Sequence, residues 1–143
     1  MAACYGQGQF WNDDPAKRSQ ADRWMDWSQT SLQPDFLMGV FWGFYRTPEH
    51  LRDRAAVAAK VAACAAHMRV LDPMLADQPY LDGEELTLAD IPAGTALYRY
   101  FGLEIERPSV PHVEAWYRRL QARSAYRKQV MVPFGDLKGK LDY

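Results

Sequence analysis

The chain has 143 residues, and its 17 Lys and Arg against 18 Asp and Glu leave a formal net charge of −1, without the basic excess that binds nucleic acid. Hydrophobic residues make up 48% of the chain, enough for one folded domain of this length. The longest apolar run, "FLMGVFWGFY", has 10 residues and is too short to span a bilayer.

The cysteines and histidines indicate neither a disulfide framework nor a metal site. Cys4 and Cys64 are the two cysteines, so a reducing compartment is expected. The start, "MAACYGQGQFW", lacks the basic and apolar regions of a signal peptide, which predicts a cytoplasmic protein. His50, His67 and His112 share no ligand spacing, and the sequence places no base beside Cys4. We therefore assign no metal ligand and no catalytic residue.

The first helix is predicted to begin at "DDPAKRSQADRW". Asp14 is a suitable N-cap, and Pro15 fits the first helical position, where the missing N–H costs nothing. The helix runs toward Tyr45, with a kink or break expected at Pro34.

The second helix is predicted to begin with Thr47 as N-cap and Pro48 in the first turn, and to run to about Met74, roughly 40 Å. Its apolar positions step by three and four residues, as one buried face requires. They are Val57, Val61, Cys64, Met68, Leu71 and Leu75. An alanine row beside them, which would let another backbone approach closely, comprises Ala55, Ala58, Ala62 and Ala65.

The stretch "GEELTLADIPAG" predicts a third helix whose start is stabilised by two local motifs, a capping pair and a hydrophobic staple. Thr87 would be the N-cap and accept the N–H of Asp90, whose carboxylate would accept the N–H of Thr87 in return. Leu86 and Ile91 occupy the two positions of a hydrophobic staple. No charged residue follows before Arg99, which predicts a buried central helix with a structural, not catalytic, start.

"ERPSVPHVEAWYRRLQAR" predicts an amphipathic helix, and a short helix follows around "SAYRKQVM". The shared face of the former carries Val113, Trp116, Tyr117 and Leu120. The predicted fold is all-α, with five or six helices, a long kinked first helix and a buried central helix starting at Thr87.

Taken together, four motifs in order resemble the C-terminal helical domain of bacterial glutathione transferases. They are "ADRWMDWSQTSL", "PYLDGEELTLADIPAGTALYRYF", "ERPSVPHVEAWYRRL" and the closing "AYRKQV". The resemblance extends from about Tyr5 to Phe134 and implies the same helical fold. Ser124 stands where relatives commonly have proline.

The resemblance also implies a thioredoxin-like domain of about 80 residues before the helical one, a usual domain size. That domain carries the thiol-activating residue in the family, and its motifs are not in this sequence. On this basis residues 1–13 are interpreted as a remnant of the interdomain linker, and residues 14–143 as the helical domain.

The family's functional positions map onto the first helix and the end of the chain. By this resemblance Asp26 reaches toward the glutamyl end of glutathione, the co-substrate, and no cofactor is needed. Trp27, Thr30 and Gln33 would line the pocket for a small hydrophobic electrophile, and Phe134 would close it.

Two functions remain open at this stage. The first is the substrate-binding and dimerisation half of a glutathione transferase, silent or nearly so without the thiol-activating domain; its partner would be a second copy or a thioredoxin-like domain. The second is a non-catalytic interaction or scaffold module of the same fold, using the helix face from Ala55 to Leu75. A simple carrier of apolar ligands is allowed by the aromatic content alone.

Overall fold

A computed structural model describes residues 4, 6, 8, 10 and 13–142. Within residues 13–142 the fold is all-α, with five α-helices around one core and no strand beyond an isolated bridge between Tyr80 and Gly83. The predicted fold class is therefore confirmed. The described part contains no helix long and apolar enough to cross a membrane. Most of the linker predicted at residues 1–13 lies outside the described residues.

Helix α1 (Pro15–Trp27) begins as predicted and is the first part of a long bent rod. The Asp14 carboxylate accepts the N–H of Ala16 at 2.9 Å. The rod continues in π-helical form through Ser28–Leu32 and Pro34–Arg46. Proline has no N–H and crowds the carbonyl four residues before it, so Pro34 favours the wider turns at this point.

Helix α2 (Arg54–Met74) ends where predicted, but its predicted start was wrong. Thr47 does not cap it: the Thr47 hydroxyl and N–H both donate to the carbonyl of Trp42, at 2.8 and 3.0 Å, and so end the preceding rod. A short 3-10 turn (Glu49–Leu51) follows, and Asp53 is the N-cap, accepting the N–H of Ala56 at 2.9 Å. With 21 residues, α2 is about 31 Å long, not 40 Å.

The apolar face of α2 packs against the π-helical rod and the rest of the core. Four of its six predicted positions are buried and two, Val57 and Val61, are half-buried; the buried ones are Cys64, Met68, Leu71 and Leu75. In the alanine row only Ala65 is buried, so the other three are left uncovered by the part of the chain that the structure describes.

Helix α3 (Asp90–Gly102) is the central helix, and its regular turns begin three residues after Thr87. The Asp90 carboxylate accepts the N–H of Thr87 at 2.9 Å, while the Thr87 hydroxyl accepts the N–H of Ala89 at 3.2 Å instead of that of Asp90. Leu86 is buried, whereas Ile91 is 42% exposed. Both border an apolar cavity of about 230 Å³.

Helices α4 (Pro111–Ala122) and α5 (Ser124–Gln129) cover the central helix. Trp116 and Leu120 of α4 are buried, and a Cβ on Gly94 of α3 would lie 2.8 Å from a methyl of Leu120. The Tyr126 hydroxyl of α5 donates to the Gly94 carbonyl at 2.8 Å. The absence of a side chain at Gly94 therefore lets α4 approach α3 closely.

Candidate functional site

Asp26 and Thr30 are on the outer surface at the end of α1. Both side chains are exposed, and the Thr30 hydroxyl donates to the Asp26 carbonyl at 2.7 Å. Gln33, after the first π-helical turns, is half-buried. The Asp26 carboxylate is therefore presented to solvent, where a cationic group of a ligand can reach it.

Trp27 lies against α2. Its ring makes edge-to-face contacts with Trp24 at 5.6 Å and with His67 at 5.5 Å between centroids. The half-buried Trp27 indole thus bridges the rod and α2.

Asp35 links the rod to α2 by an ion pair and a hydrogen bond. Its carboxylate lies 2.7 Å from the Lys60 ammonium and 2.8 Å from Nε2 of His67. The hydrogen bond from Lys60 is the main reason that the pKa of Asp35 is lowered; His67 acts in the same direction, and partial burial opposes both. Gly39 makes room for the stem of Lys60, because a Cβ there would lie 2.5 Å from its Cγ.

Phe134 lies in a second place, which we call the aromatic cluster and define as Phe41, Tyr45, Tyr98 and Phe134. The Phe134 ring makes edge-to-face contacts with the other three at 5.8, 5.2 and 5.6 Å. Phe41 and Tyr45 follow Trp27 by 14 and 18 positions on the same rod, on the order of 20 Å along its axis. The structure therefore divides the predicted pocket residues between two places.

The comparisons with known proteins decide the family. Residues 34–124, more than half of the chain, match the model described as Glutathione S-transferase, C-terminal domain. The chain belongs to this family.

The transferase relatives agree over nearly the whole chain. Glutathione S-transferase GstB of Escherichia coli (strain K12) is 37% identical over 133 residues, 93% of this chain and 64% of that protein. The theta class glutathione S-transferase of Xanthomonas axonopodis pv. citri, solved with glutathione bound, is 41% identical with a TM-score of 0.86, over 92% of this chain and 68% of that one. The disulfide-bond oxidoreductase YghU of E. coli is 28% identical over 85% of this chain. This chain thus spans about two thirds of the length of GstB and of the Xanthomonas transferase.

The buried cysteine of this domain, Cys64, is held as a thiol and not as a thiolate. Burial raises the pKa of the Cys64 thiol to about 12, so it stays protonated at neutral pH. Cys4 is exposed. Within the described part, no three His, Cys, Asp or Glu side chains are grouped to hold a metal.

The transferase domain also has a broad groove along the exposed alanines of α2. Its volume is about 610 Å³. Its apolar wall comprises Phe44, Val57, Ala58, Val61, Ala62 and Ala65, and its opposite wall is the 104–108 segment. Sequence reasoning found the alanines but not the opposite wall, which lies about 40 residues later in the chain.

The sequence did not indicate that Asp35 and Lys60 lie near Trp27, or that Phe41, Tyr45 and Tyr98 contact Phe134. Asp35 and Lys60 are 25 positions apart, and Tyr45 and Phe134 are 89 apart. No local motif connects such pairs. The only available signal was the concentration of aromatic residues in "FLMGVFWGFY".

Proposed function

We propose that this chain is the electrophile-binding and dimerising half of a glutathione transferase. The observation that carries the proposal is the 0.86 TM-score and 41% identity to the Xanthomonas transferase with glutathione bound. In such an enzyme the glutathione thiolate attacks an electrophilic carbon. The new C–S bond either replaces the bond to a leaving group, which departs as an anion, or forms by addition to an activated double bond, which then takes up a proton. This half presents side chains to both reactants and leaves thiol activation to another domain.

Asp26 is the residue proposed to face glutathione. Its exposed carboxylate carries the charge needed to pair with the glutathione ammonium, and the Thr30–Asp26 hydrogen bond fixes the local backbone. Trp27, Thr30 and Gln33 are proposed as neighbouring contacts. The half-buried Trp27 indole offers a flat apolar ring for such a contact.

The aromatic cluster is the proposed surface for a small hydrophobic electrophile. Aromatic side chains stack on flat apolar ligands in offset or edge-to-face geometry, as the four rings already do with one another. Since Trp27 and Phe134 are far apart, we propose that Asp26 and Trp27 serve glutathione while Phe134 and its neighbours serve the electrophile.

The proposal extends to the domain boundaries, the partner and the compartment of the protein. Residues 1–13 are proposed as interdomain linker and residues 14–143 as the helical domain. The protein is proposed to work as a homodimer, or with a thioredoxin-like domain as partner, in the cytoplasm. Alone, the 143-residue chain is expected to be silent in conjugation.

Calorimetric titration with reduced glutathione tests the claim about the isolated chain. We expect no saturable heat up to millimolar glutathione. Saturable binding at micromolar to millimolar levels, roughly −8 to −4 kcal/mol, would show that Asp26 and its neighbours form a complete site and contradict the proposal.

A chimera tests the inherited activity. Residues 14–143 are joined to the N-terminal third of E. coli GstB, and conjugation of glutathione to a chloronitrobenzene is followed by absorbance. We expect activity, with a raised KM for glutathione in the Asp26→Asn variant and not in the Asp22→Asn control, another exposed carboxylate of α1. A folded but inactive chimera refutes the transferase proposal.

The second candidate, a non-catalytic interaction module, is favoured by one observation. Two exposed alanines of α2, Ala58 and Ala62, line the 610 Å³ groove, and Val70 and Met74 of the same helix are 55% and 43% exposed. Exposed apolar patches commonly bind partners. This candidate predicts association without any glutathione dependence and no activity in the chimera.

A further inference from the structure

Arg99 differs from the other arginines of the described part that are buried or half-buried. Arg46 is buried, and four further arginines, Arg99 among them, are half-buried. The other four donate hydrogen bonds to backbone carbonyls: Arg18 to Asp13, Arg46 to Lys140 and Asp142, Arg52 to Thr47, and Arg119 to Pro79. Arg99 makes no hydrogen bond and no ion pair with any residue that the structure describes. Its N–H donors are therefore available to a ligand.

Arg99 lies at the aromatic cluster. Its Cζ is 5.0 Å from the centroid of the Phe41 ring, and the ring of the neighbouring Tyr98 contacts the Phe134 ring at 5.6 Å. Phe41 is buried, whereas Tyr98, Arg99 and Phe134 are half-buried, so this side of the cluster can be reached from solvent. Contact with a ring does not use the five N–H donors of a guanidinium, which lie at its edge and can bind an anion.

Two structural roles also suit an arginine at this position, but neither uses its N–H donors. Arg99 lies in the last turn of α3, where a cation complements the helix dipole. Its contact with Phe41 is a cation–π interaction. The carboxylate of Asp136 is close enough to Tyr45 to add to the effect of burial, which raises the pKa of that hydroxyl, but it forms no ion pair with Arg99. The structural roles therefore leave the guanidinium without an anionic partner.

We propose that Arg99 selects electrophiles that carry a carboxylate or a sulfonate on an aromatic ring, with the ring on the aromatic cluster and the anionic group on the N–H donors of Arg99. This choice of ligand rests on the proposed function, which it narrows from a small hydrophobic electrophile to an anionic aromatic one. A guanidinium meets two oxygens of such a group with two parallel N–H donors, a geometry that lysine lacks. Arg99 is thus a residue that determines specificity and takes no part in thiol activation.

Two dyes with the same aromatic framework separate the contribution of the charge from that of the rings. 8-Anilino-1-naphthalenesulfonate carries a sulfonate, and N-phenyl-1-naphthylamine lacks it. Both dyes are titrated by fluorescence into the full 143-residue chain and into variants whose fold is checked by circular dichroism. The ratio of the two dissociation constants then measures recognition of the anionic group.

Arg99→Gln removes the charge and keeps most of the length of the side chain. We expect the dissociation constant of the sulfonate dye to rise about tenfold, equivalent to about 1.4 kcal/mol, and that of the neutral dye to change less than about twofold. Arg99→Lys keeps the charge without the fork of donors and should lie between wild type and Arg99→Gln. If Arg99→Gln does not fold, the comparison of Arg99→Lys with wild type decides by the same ratio.

Two further variants control for net charge and for the place of binding. Arg52 also lies over a phenylalanine ring, that of Phe44 at 4.9 Å, but it donates to the carbonyl of Thr47. Arg52→Gln should therefore leave both dissociation constants unchanged. Tyr98→Leu removes one ring of the aromatic cluster and should weaken the binding of both dyes by a similar factor.

Any of three results overturns the proposal. An equal change for both dyes in Arg99→Gln, or no change for either, shows that Arg99 does not recognise the anionic group. An equal effect of Arg52→Gln shows that net charge alone is responsible. Unchanged binding of both dyes in Tyr98→Leu, or no binding of either dye to the wild-type chain, shows that the aromatic cluster is not the site. The chimera assay uses an uncharged electrophile and none of these variants, so failure of the proposed function is distinguishable from failure of this inference.

Discussion

The buried carboxylate of Asp90 offers the sharpest test of how this fold is held together. Asp90 has no exposed surface, and its carboxylate accepts three N–H groups. One oxygen accepts from Leu81 at 2.9 Å and from the Trp116 indole at 3.0 Å, and the other from Thr87 at 2.9 Å. One side chain thus joins the loop before α3, the start of α3 and the middle of α4.

The Asp90→Asn substitution perturbs this junction with almost no change of volume. An asparagine keeps one oxygen for Leu81 and Trp116, but turns its NH₂ toward the N–H of Thr87. One hydrogen bond is lost and two buried donors then face each other, at about 1–3 kcal/mol for each unsatisfied group. We expect a loss of about 2–4 kcal/mol in the free energy of unfolding, a large part of the roughly 5–15 kcal/mol typical of a domain.

Urea unfolding at pH 7, followed by far-UV circular dichroism, measures this loss as a lower midpoint with an unchanged m-value. The matched control is Asp53→Asn at the exposed N-cap of α2, where asparagine caps as well as aspartate and little change is expected. Trp116→Phe removes one of the three donors, and its effect should add to that of Asp90→Asn less than fully. An Asp90→Asn chain within about 0.5 kcal/mol of wild type would refute this account of the junction.

Three further predictions concern other contacts. The Asp72 carboxylate accepts the N–H groups of His112 and Val113, in the first turn of α4, at 2.9 and 3.0 Å. Asp72→Ala should therefore lower the free energy of unfolding in urea by about 1–2 kcal/mol, while Asp77→Ala, at an exposed position, should not; equal effects would contradict a capping role for Asp72. In thermal unfolding, Gly94→Ala should destabilise the fold by about 1–3 kcal/mol, because the added Cβ would lie 2.8 Å from a methyl of Leu120. The control Gly43→Ala should be neutral or stabilising, because its Cβ would lie 3.5 Å from the nearest atom. The pKa of Asp35 is lowered on folding, so its ion pair with Lys60 should contribute about 1 kcal/mol to the free energy of unfolding above pH 3.8, and this contribution should disappear as the pH falls below that value. In urea titrations the stability difference between wild type and Asp35→Asn should therefore shrink toward pH 3. A difference that does not change with pH would be inconsistent with the ion pair.

The elements that sequence reasoning predicted well are those with strong local signals. Asp14 and Pro15 mark the start of α1 within two adjacent residues, and the three-four spacing from Cys64 to Leu75 is a property of one helix. Thr47 and Pro48 carried an equally good local signal for the start of α2, but the Trp42 carbonyl competed for the Thr47 hydroxyl. Asp53 then became the cap, because a later residue with a free carboxylate was available.

The start of α3 shows how tertiary contacts alter a local motif. The spacing of three residues predicted that the Asp90 carboxylate accepts the N–H of Thr87. It did not predict that the same carboxylate also serves Leu81 and Trp116, since the latter lies 26 positions away. Burial accordingly raises the pKa of Asp90, even though its three N–H donors act in the opposite direction.

The candidate site was the least predictable part for the same reason. Helical spacing placed Asp26, Trp27, Thr30 and Gln33 on one face, but the π-helical turns from Ser28 change that spacing, and the four side chains differ in exposure. Phe134 was assigned to the same pocket, yet its partners are the rod residues Phe41 and Tyr45. In the proposed function, glutathione contacts Asp26 and the electrophile contacts Phe134, at two levels of the same long helix. That proposal therefore requires a second domain that holds the glutathione thiol and spans the distance between these two levels of the rod.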